Sequence, residues 1–88
     1  MKTVYKYPLE VNVCTIDLPI DSKVVCVHEQ NSVPTLWIEH DATKPSKEFS
    51  FCVVATGGHI PNDWEHIGTC FIGNYVWHVY HTNPNPQT

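Results

Sequence analysis

The chain has 88 residues, with five lysines, nine acidic residues and no arginine, and its formal net charge is −4 at pH 7. A chain of this length forms a single domain with a modest core, since a small domain buries only about 60% of its unfolded surface. The charge balance excludes an extended nucleic-acid-binding surface, which needs clustered lysine and arginine, and the missing arginine removes the side chain that binds phosphate bidentately.

Short runs rich in aromatic and β-branched residues follow one another along the chain, separated by turn residues, as is typical of an all-β domain. The first two strand-like runs are Thr3–Tyr7 and Val11–Ile20, and Pro19 marks the second as an edge strand. The continuous apolar run Val24–Val27 predicts a strand that is covered on both faces. A turn is predicted after it, at Gln30–Ser32.

Two later runs alternate between apolar and polar positions, as expected of strands with one buried face. They are Thr35–Glu39 and Phe49–Ala55. The faces predicted to be buried carry Leu36 and Ile38 in the first run and Phe49, Phe51, Val53 and Ala55 in the second.

The segment before the tail predicts a β-hairpin, because a two-residue Gly73-Asn74 connection between two strand-like runs is typical of a primed turn. In this register Ile72 faces Tyr75, Cys70 faces Trp77 and Gly68 faces Val79. The opposite face is predicted to carry Ile67, Thr69, Phe71, Val76, His78 and Tyr80. Upstream, Pro61–Glu65 fits one helical turn, with proline at the first position and acidic residues near the start.

These elements predict an all-β fold, or a β-rich one with a single short helical turn. It would be a small antiparallel sandwich or partly open barrel of about six short strands. We expect one β domain over residues 1–82 and a flexible tail over residues 83–88. Both hairpin faces are apolar and the sheets have edges, so we also expect a homo-oligomer.

A signal peptide is not predicted, because the chain does not start with basic residues followed by an apolar block. The four cysteines are therefore predicted to be reduced thiols in a cytoplasm. Two disulfides are the alternative. Three of the cysteines lie in apolar strand-like runs, where cysteine behaves as a small buried hydrophobic residue. No run reaches the roughly 18 apolar residues of a membrane span.

The six histidines do not show the close spacing of a structural metal site. His78 and His81 would lie on opposite faces of a strand, and only His59 and His66 could converge across a loop. We therefore expect no metal. Without a nucleophile motif beside a base, we expect no enzymatic activity either.

The segment Thr56–Trp64 is the most unusual part of the chain, because a glycine pair there follows a strand directly. Backbone N–H groups in a glycine turn can bind an anion without arginine. An alternative is a purely structural connection ordered by Pro61 and by packing of Trp64. The predicted ligand-binding residues are Gly57, Gly58, His59, Asn62 and Trp64 from the loop, with Tyr75 and Trp77 as stacking surfaces.

The chain opens with the residues M-K-T-V-Y-K-Y-P-L. This opening is similar to the M-K-T-I-Y-K-Y-P-L of a family of small bacteriophage proteins with an uncharacterised domain, DUF7352. The resemblance continues through Ile16–Pro19, Val24–Asn31, Pro34–Trp37, Thr56–Pro61, Ile67–Thr69 and Val76–Tyr80. The glycine and histidine of the loop are shifted relative to the family pattern, and the charged stretch after Asp41 differs.

This resemblance implies a phage accessory protein in the cytoplasm of an infected bacterial host, and it supplies no established activity. By analogy with other small phage proteins, we expect counter-defence through sequestration of a small nucleotide-like immune signal, with no cofactor. An alternative is a protein–protein inhibitor of a host defence enzyme, whose basic surface would suit the negative charge. A phage structural or accessory protein is a third interpretation, and neither nucleic acid nor a membrane is expected as a partner.

Overall fold

The computed structural model describes residues 1–82, and the predicted flexible tail 83–88 lies outside the described residues. Residues 1–82 form seven strands and no helix, where the sequence predicts about six strands. The strands are β1 (Thr3–Pro8), β2 (Asn12–Pro19), β3 (Lys23–Gln30), β4 (Val33–His40), β5 (Ser46–Ala55), β6 (Glu65–Ile72) and β7 (Tyr75–His81). Within this part of the chain there is no helix long and apolar enough to cross a membrane.

The strands form two antiparallel sheets, one ordered β1-β4-β3 and the other β2-β5-β7-β6. The predicted sandwich is confirmed, and β2 lies at an edge as predicted. The prediction for Val24–Val27 is wrong, because β3 is also an edge strand and Val25 and Cys26 are exposed. A β-bulge between Val24 and Cys26 interrupts the alternation there.

The core lies between the inner faces of the two sheets. Of the side chains predicted to be buried on β4 and β5, Leu36, Ile38, Phe51 and Val53 are each at most 1% exposed and Phe49 is also buried. The prediction fails for Ala55 at the end of β5, which is only half-buried. Val79 on β7 completes this layer at 0%. Full burial of one such side chain contributes about 1.5–3 kcal/mol, so this small layer is the main source of stability.

The β6–β7 hairpin has the predicted register from Ile72–Tyr75 to Gly68–Val79. A bulge between His66 and Gly68 then shifts the pairing, so that His66 and not Ile67 faces Tyr80. The predicted position of Ile67 is therefore wrong, and its side chain packs against the core.

The connection between β5 and β6, residues 56–64, is called the crossover loop here. Because β5 and β6 are both antiparallel to β7, they run in the same direction, and the loop must travel the length of the sheet. The predicted helical turn in it is wrong. Trp64 N donates to Pro61 O at 3.2 Å in an isolated turn, and β6 begins at the next residue, Glu65.

Candidate functional site

The crossover loop passes over the outer face of the four-stranded sheet and encloses a cleft of about 220 Å³, called the loop cleft. Gly58 N donates to Ala55 O at 2.8 Å, which turns the chain back over the sheet. The loop side is lined by Thr56, Gly57, Gly58 and Ile60, and the sheet side by Val54, Ala55, His78 and Tyr80.

Gly57 makes this turn possible. Its φ of +93° is a backbone conformation that residues with a Cβ atom rarely adopt, and no heavy atom lies within 4 Å of the position of a Cβ. The open space leaves the backbone beside the loop cleft free to approach a ligand closely. The glycine pair singled out in the sequence therefore does line a cleft.

Four polar side chains form a continuous hydrogen-bonded series on the outer face, called the His–Thr chain. Thr56 Oγ1 lies 3.0 Å from His78 Nε2, and His78 Nδ1 lies 3.1 Å from Thr69 Oγ1. Thr69 Oγ1 lies 2.9 Å from His66 Nε2. Strand pairing accounts for the arrangement, because Thr69 directly faces His78 across the hairpin.

The His–Thr chain can be satisfied in two opposite directions. In one, Thr56 donates to His78 Nε2, His78 Nδ1 donates to Thr69, and Thr69 donates to His66 Nε2. In the other, every donor becomes an acceptor, because a hydroxyl does both and a neutral imidazole has one nitrogen of each kind. Its two ends can therefore present either a donor or an acceptor to a ligand.

Aromatic contacts hold the His66 end of the His–Thr chain in place. The rings of His66 and Tyr80 meet edge to face with centroids 5.1 Å apart, and the centroids of His66 and His78 are 6.4 Å apart. An edge-to-face contact is a favourable ring geometry. The sheet side of the loop cleft is thus both polar and ordered.

The predicted ligand-binding residues are only partly brought together. Gly57 and Gly58 line the loop cleft, His59 and Asn62 are exposed on the loop, and Trp64 is half-buried. Tyr75 and Trp77 lie on the other face of β7, where Trp77 packs against the core and the two ring centroids are 6.2 Å apart.

His78 and Tyr80 are not among the ligand-binding residues predicted from the sequence. The alternation of faces along the hairpin could have identified them. The predicted register already placed both on the face opposite Trp77. What the sequence could not show was the face over which the crossover loop would pass.

The cysteine side chains offer no activated nucleophile. All four are free, with Cys52 and Cys70 buried, Cys14 half-buried and Cys26 exposed. Burial raises the pKa of the Cys52 and Cys70 thiols, so both stay protonated at neutral pH and are poor nucleophiles. The expected absence of enzymatic activity stays a prediction.

Charge around the loop cleft is sparse. None of the five lysines lies in the crossover loop or lines the cleft. Among residues 1–82, no group of three or more His, Cys, Asp or Glu side chains could hold a metal ion. Any ligand here would be recognised by hydrogen bonds and ring contacts.

Comparison with known proteins identifies one family. No curated protein and no solved structure matches the chain. The model of a domain of unknown function, DUF7352, matches residues 1–88 and confirms that part of the resemblance seen in the sequence. Because the match covers the whole chain, this protein belongs to the DUF7352 family.

Proposed function

We propose that this protein acts by binding, and that it sequesters a small nucleotide-like signal in the loop cleft. The observation that carries the proposal is the meeting of the glycine turn with the His–Thr chain across one cleft. Binding sites of this kind combine a concave surface with a few well-placed polar groups.

The chemistry of the loop cleft suits a base or a sugar. Both His78 nitrogens are hydrogen-bonded within the His–Thr chain, so the Thr56 hydroxyl at its end is the group that meets the ligand. This hydroxyl donates to or accepts from ring nitrogens, exocyclic groups or ribose hydroxyls, according to the direction of the chain. Tyr80 adds an aromatic ring that favours contact with a base. A volume of about 220 Å³ is below the roughly 300–1,000 Å³ of drug-sized sites, so only part of a nucleotide would be enclosed.

The lack of cations determines how such a ligand would lie. The loop cleft has no lysine, and the backbone N–H groups of Thr56 and Gly58 already donate to Val76 O and Ala55 O, so phosphate groups would remain in solvent. The base or sugar would occupy the polar interior. Affinity would then depend weakly on salt, unlike that of a site built from lysine and arginine.

The biological setting follows from the resemblance to phage proteins. A phage accessory protein in the cytoplasm of an infected bacterium could hold a defence signal without chemistry, because a stoichiometric binder only has to lower the free signal concentration. This counter-defence role is the part of the proposal that rests on analogy.

The experiment is incubation of the purified protein with extract from phage-infected bacteria, followed by washing, heat denaturation and mass spectrometry of the released small molecules. We expect release of an intact nucleotide-like compound. A cleaved compound would identify an enzyme, and no bound compound would refute sequestration. His78→Phe is expected to lose the compound, whereas His28→Phe, at an exposed histidine on β3, should retain it.

A second candidate function, inhibition of a host defence protein, is favoured by the exposed end of the β6–β7 hairpin. Phe71 is 71% exposed and Tyr75 is 65% exposed, whereas all three tryptophans are half-buried. Exposed aromatic residues commonly anchor protein interfaces. If this function is correct, Phe71→Ala should abolish co-purification of a bacterial partner, and Val4→Ala, at an exposed residue of β1, should not.

We also propose that the protein is a homo-oligomer. Four strands in the described part of the chain lie at the edges of their sheets, and exposed Val13 lies on one of them, β2. Such edges can pair with a second copy. Light scattering should give a mass of at least twice the 10.0 kDa of one chain. Val13→Lys should reduce this mass, and Val25→Lys on β3 should not. A wild-type mass of 10.0 kDa would contradict the proposal.

A further inference from the structure

A second cleft of about 260 Å³, called the end cleft, lies between the two sheets at the end where β2 finishes and β3 begins. Most of its lining is apolar and comes from both sheets. These apolar residues are Leu18, Val24, Ile38, Phe49, Phe51 and Ile67. The end cleft shares no residue with the loop cleft.

Both β-bulges of the structure border the end cleft. Ile67 is the residue left unpaired by the bulge in β6, and Val24 directly precedes the bulge in β3. Bulges redirect side chains and are common beside functional sites. Without its bulge, Ile67 would face outward with Tyr80 instead of lining the cleft.

The bulge in β6 also lies beside a tight contact between the sheets. A Cβ built on Gly68 would lie 2.6 Å from Val27 Cβ, so β6 and β3 touch at this point. One residue earlier on β6, Ile67 lines open space. The end cleft is therefore bounded by a tight contact, and the two sheets are closely packed beside it.

Three polar residues also line the end cleft, namely Ser22, Lys23 and His81. The His81 side chain is 15% exposed, and its ring stacks on Phe51 at 6.4 Å with planes 13° apart. His81 Nε2 lies 3.1 Å from Glu65 Oε1. An ionised carboxylate only accepts, so Nε2 donates to Glu65 and, in the neutral ring, Nδ1 remains an acceptor.

We propose that the end cleft binds a compact aromatic molecule that carries one O–H or N–H donor, of the phenol or indole class. An engineered apolar cavity of about 150 Å³ holds benzene, so the end cleft has room for a substituted ring. Stacked Phe51 and His81 offer an aromatic wall, and His81 Nδ1 would accept from the donor.

The experiment is an NMR titration of the methyl-labelled protein with two ring-sized probes, namely phenol and toluene. We expect saturable shifts of the Ile38 and Ile67 methyl groups, with phenol binding at least tenfold more tightly than toluene. Unshifted methyl groups at millimolar phenol, or equal affinity for phenol and toluene, would overturn the proposal.

Two variants locate the site and its polar group. Ile67→Phe fills the end cleft and should abolish phenol binding, whereas Ile72→Phe, at the other end of β6, should preserve it. His81→Phe should reduce phenol affinity to that of toluene, and an unchanged preference would refute the role of His81. Phenol binding should survive His78→Phe, which separates this proposal from the function of the loop cleft.

Discussion

Gly68 allows a close approach between the two sheets. Its missing side chain lets β6 lie against Val27, whose Cβ and Cγ2 would each be 2.6 Å from an added Cβ. Real Cβ atoms do not approach other atoms so closely. Val27 is β-branched and stiff, so its side chain has no alternative position without cost.

Replacing this glycine is therefore expected to destabilise the protein. Gly68→Ala should lower the free energy of unfolding by about 1–3 kcal/mol, as overpacking typically does, measured by urea denaturation. The double variant Gly68→Ala/Val27→Gly should lose less than the sum of the two single changes, because it removes both the Cβ and the Cγ2 atoms that clash. Strictly additive losses would contradict the contact.

His40 is a second residue whose surroundings determine stability. It is 4% exposed, its Nε2 lies 3.0 Å from the Tyr7 hydroxyl, and its Nδ1 has no hydrogen-bond partner among residues 1–82. The Tyr5 ring lies 5.0 Å away without such a bond. Burial raises the pKa of Tyr7, with a smaller contribution from Tyr5, so Tyr7 keeps its hydroxyl proton at neutral pH.

Tyr7→Phe should cost about 1–3 kcal/mol of unfolding free energy, because it leaves both nitrogens of a buried imidazole without a protein partner. Tyr5→Phe is the matched control, and its effect should stay within about 0.5 kcal/mol. Thermal unfolding of both variants at pH 7 provides the comparison. Equal effects would show that the Tyr7 hydrogen bond contributes little.

Among the elements, the β3–β4 hairpin carries an unusual turn. Asn31 and Ser32 have φ values of 55° and 64°, the pattern of a type I′ turn, which favours Asn-Gly. Serine in the left-handed region is strained by about 1–2 kcal/mol relative to glycine. The backbone N–H of Ser32 donates to Glu29 Oε2 at 2.8 Å, and glycine would keep that bond.

Ser32→Gly is accordingly expected to stabilise the protein by about 1 kcal/mol, since relief of strain exceeds the entropy that glycine adds to the unfolded chain. Ser22→Gly is the control, because Ser22 Oγ donates to Pro19 O at 2.7 Å and its φ is not positive. This control should be destabilised. A melting temperature lowered by both changes would disprove the strain argument.

Local pattern was sufficient to predict some elements and insufficient for others. The register of the β6–β7 hairpin follows from its two-residue turn as far as Gly68, because each pair fixes the next. The predicted register fails at Ile67, because the bulge there depends on β3, a strand far away in sequence. The apolar run Val24–Val27 wrongly predicts a covered strand for the same reason. Whether a strand is covered depends on the strands beside it in the sheet, and these are distant in sequence.

For the whole molecule, strand order determines the candidate site. The crossover loop covers His78 and Tyr80 because β7 lies between β5 and β6, and no periodicity encodes that order. The sequence identified Gly57 and Gly58 from local chemistry alone. The aromatic character of Tyr75 and Trp77 predicts them as stacking surfaces of the same site, but they lie on the other face of β7.

Buried ionisable groups spread over several strands make stability depend on alkaline pH. Burial raises the pKa of Cys14, Cys52 and Cys70 above the ordinary 9.0, and that of Tyr7 above 10.0. Each group is neutral when protonated, so its contribution is fully present below the unfolded pKa. As the pH rises past 9, the unfolded chain loses these protons first and the free energy of unfolding falls.

Urea denaturation under reducing conditions should thus give a constant unfolding free energy from about pH 7 to 8.5 and a progressive loss above pH 9. The slope per thiol cannot exceed about 1.4 kcal/mol per pH unit. Cys70→Ala should flatten the alkaline decline, because one buried thiol no longer titrates. Cys26→Ala, at the exposed cysteine, should leave the decline unchanged, and the same decline in both variants would mean that Cys70 does not contribute to it.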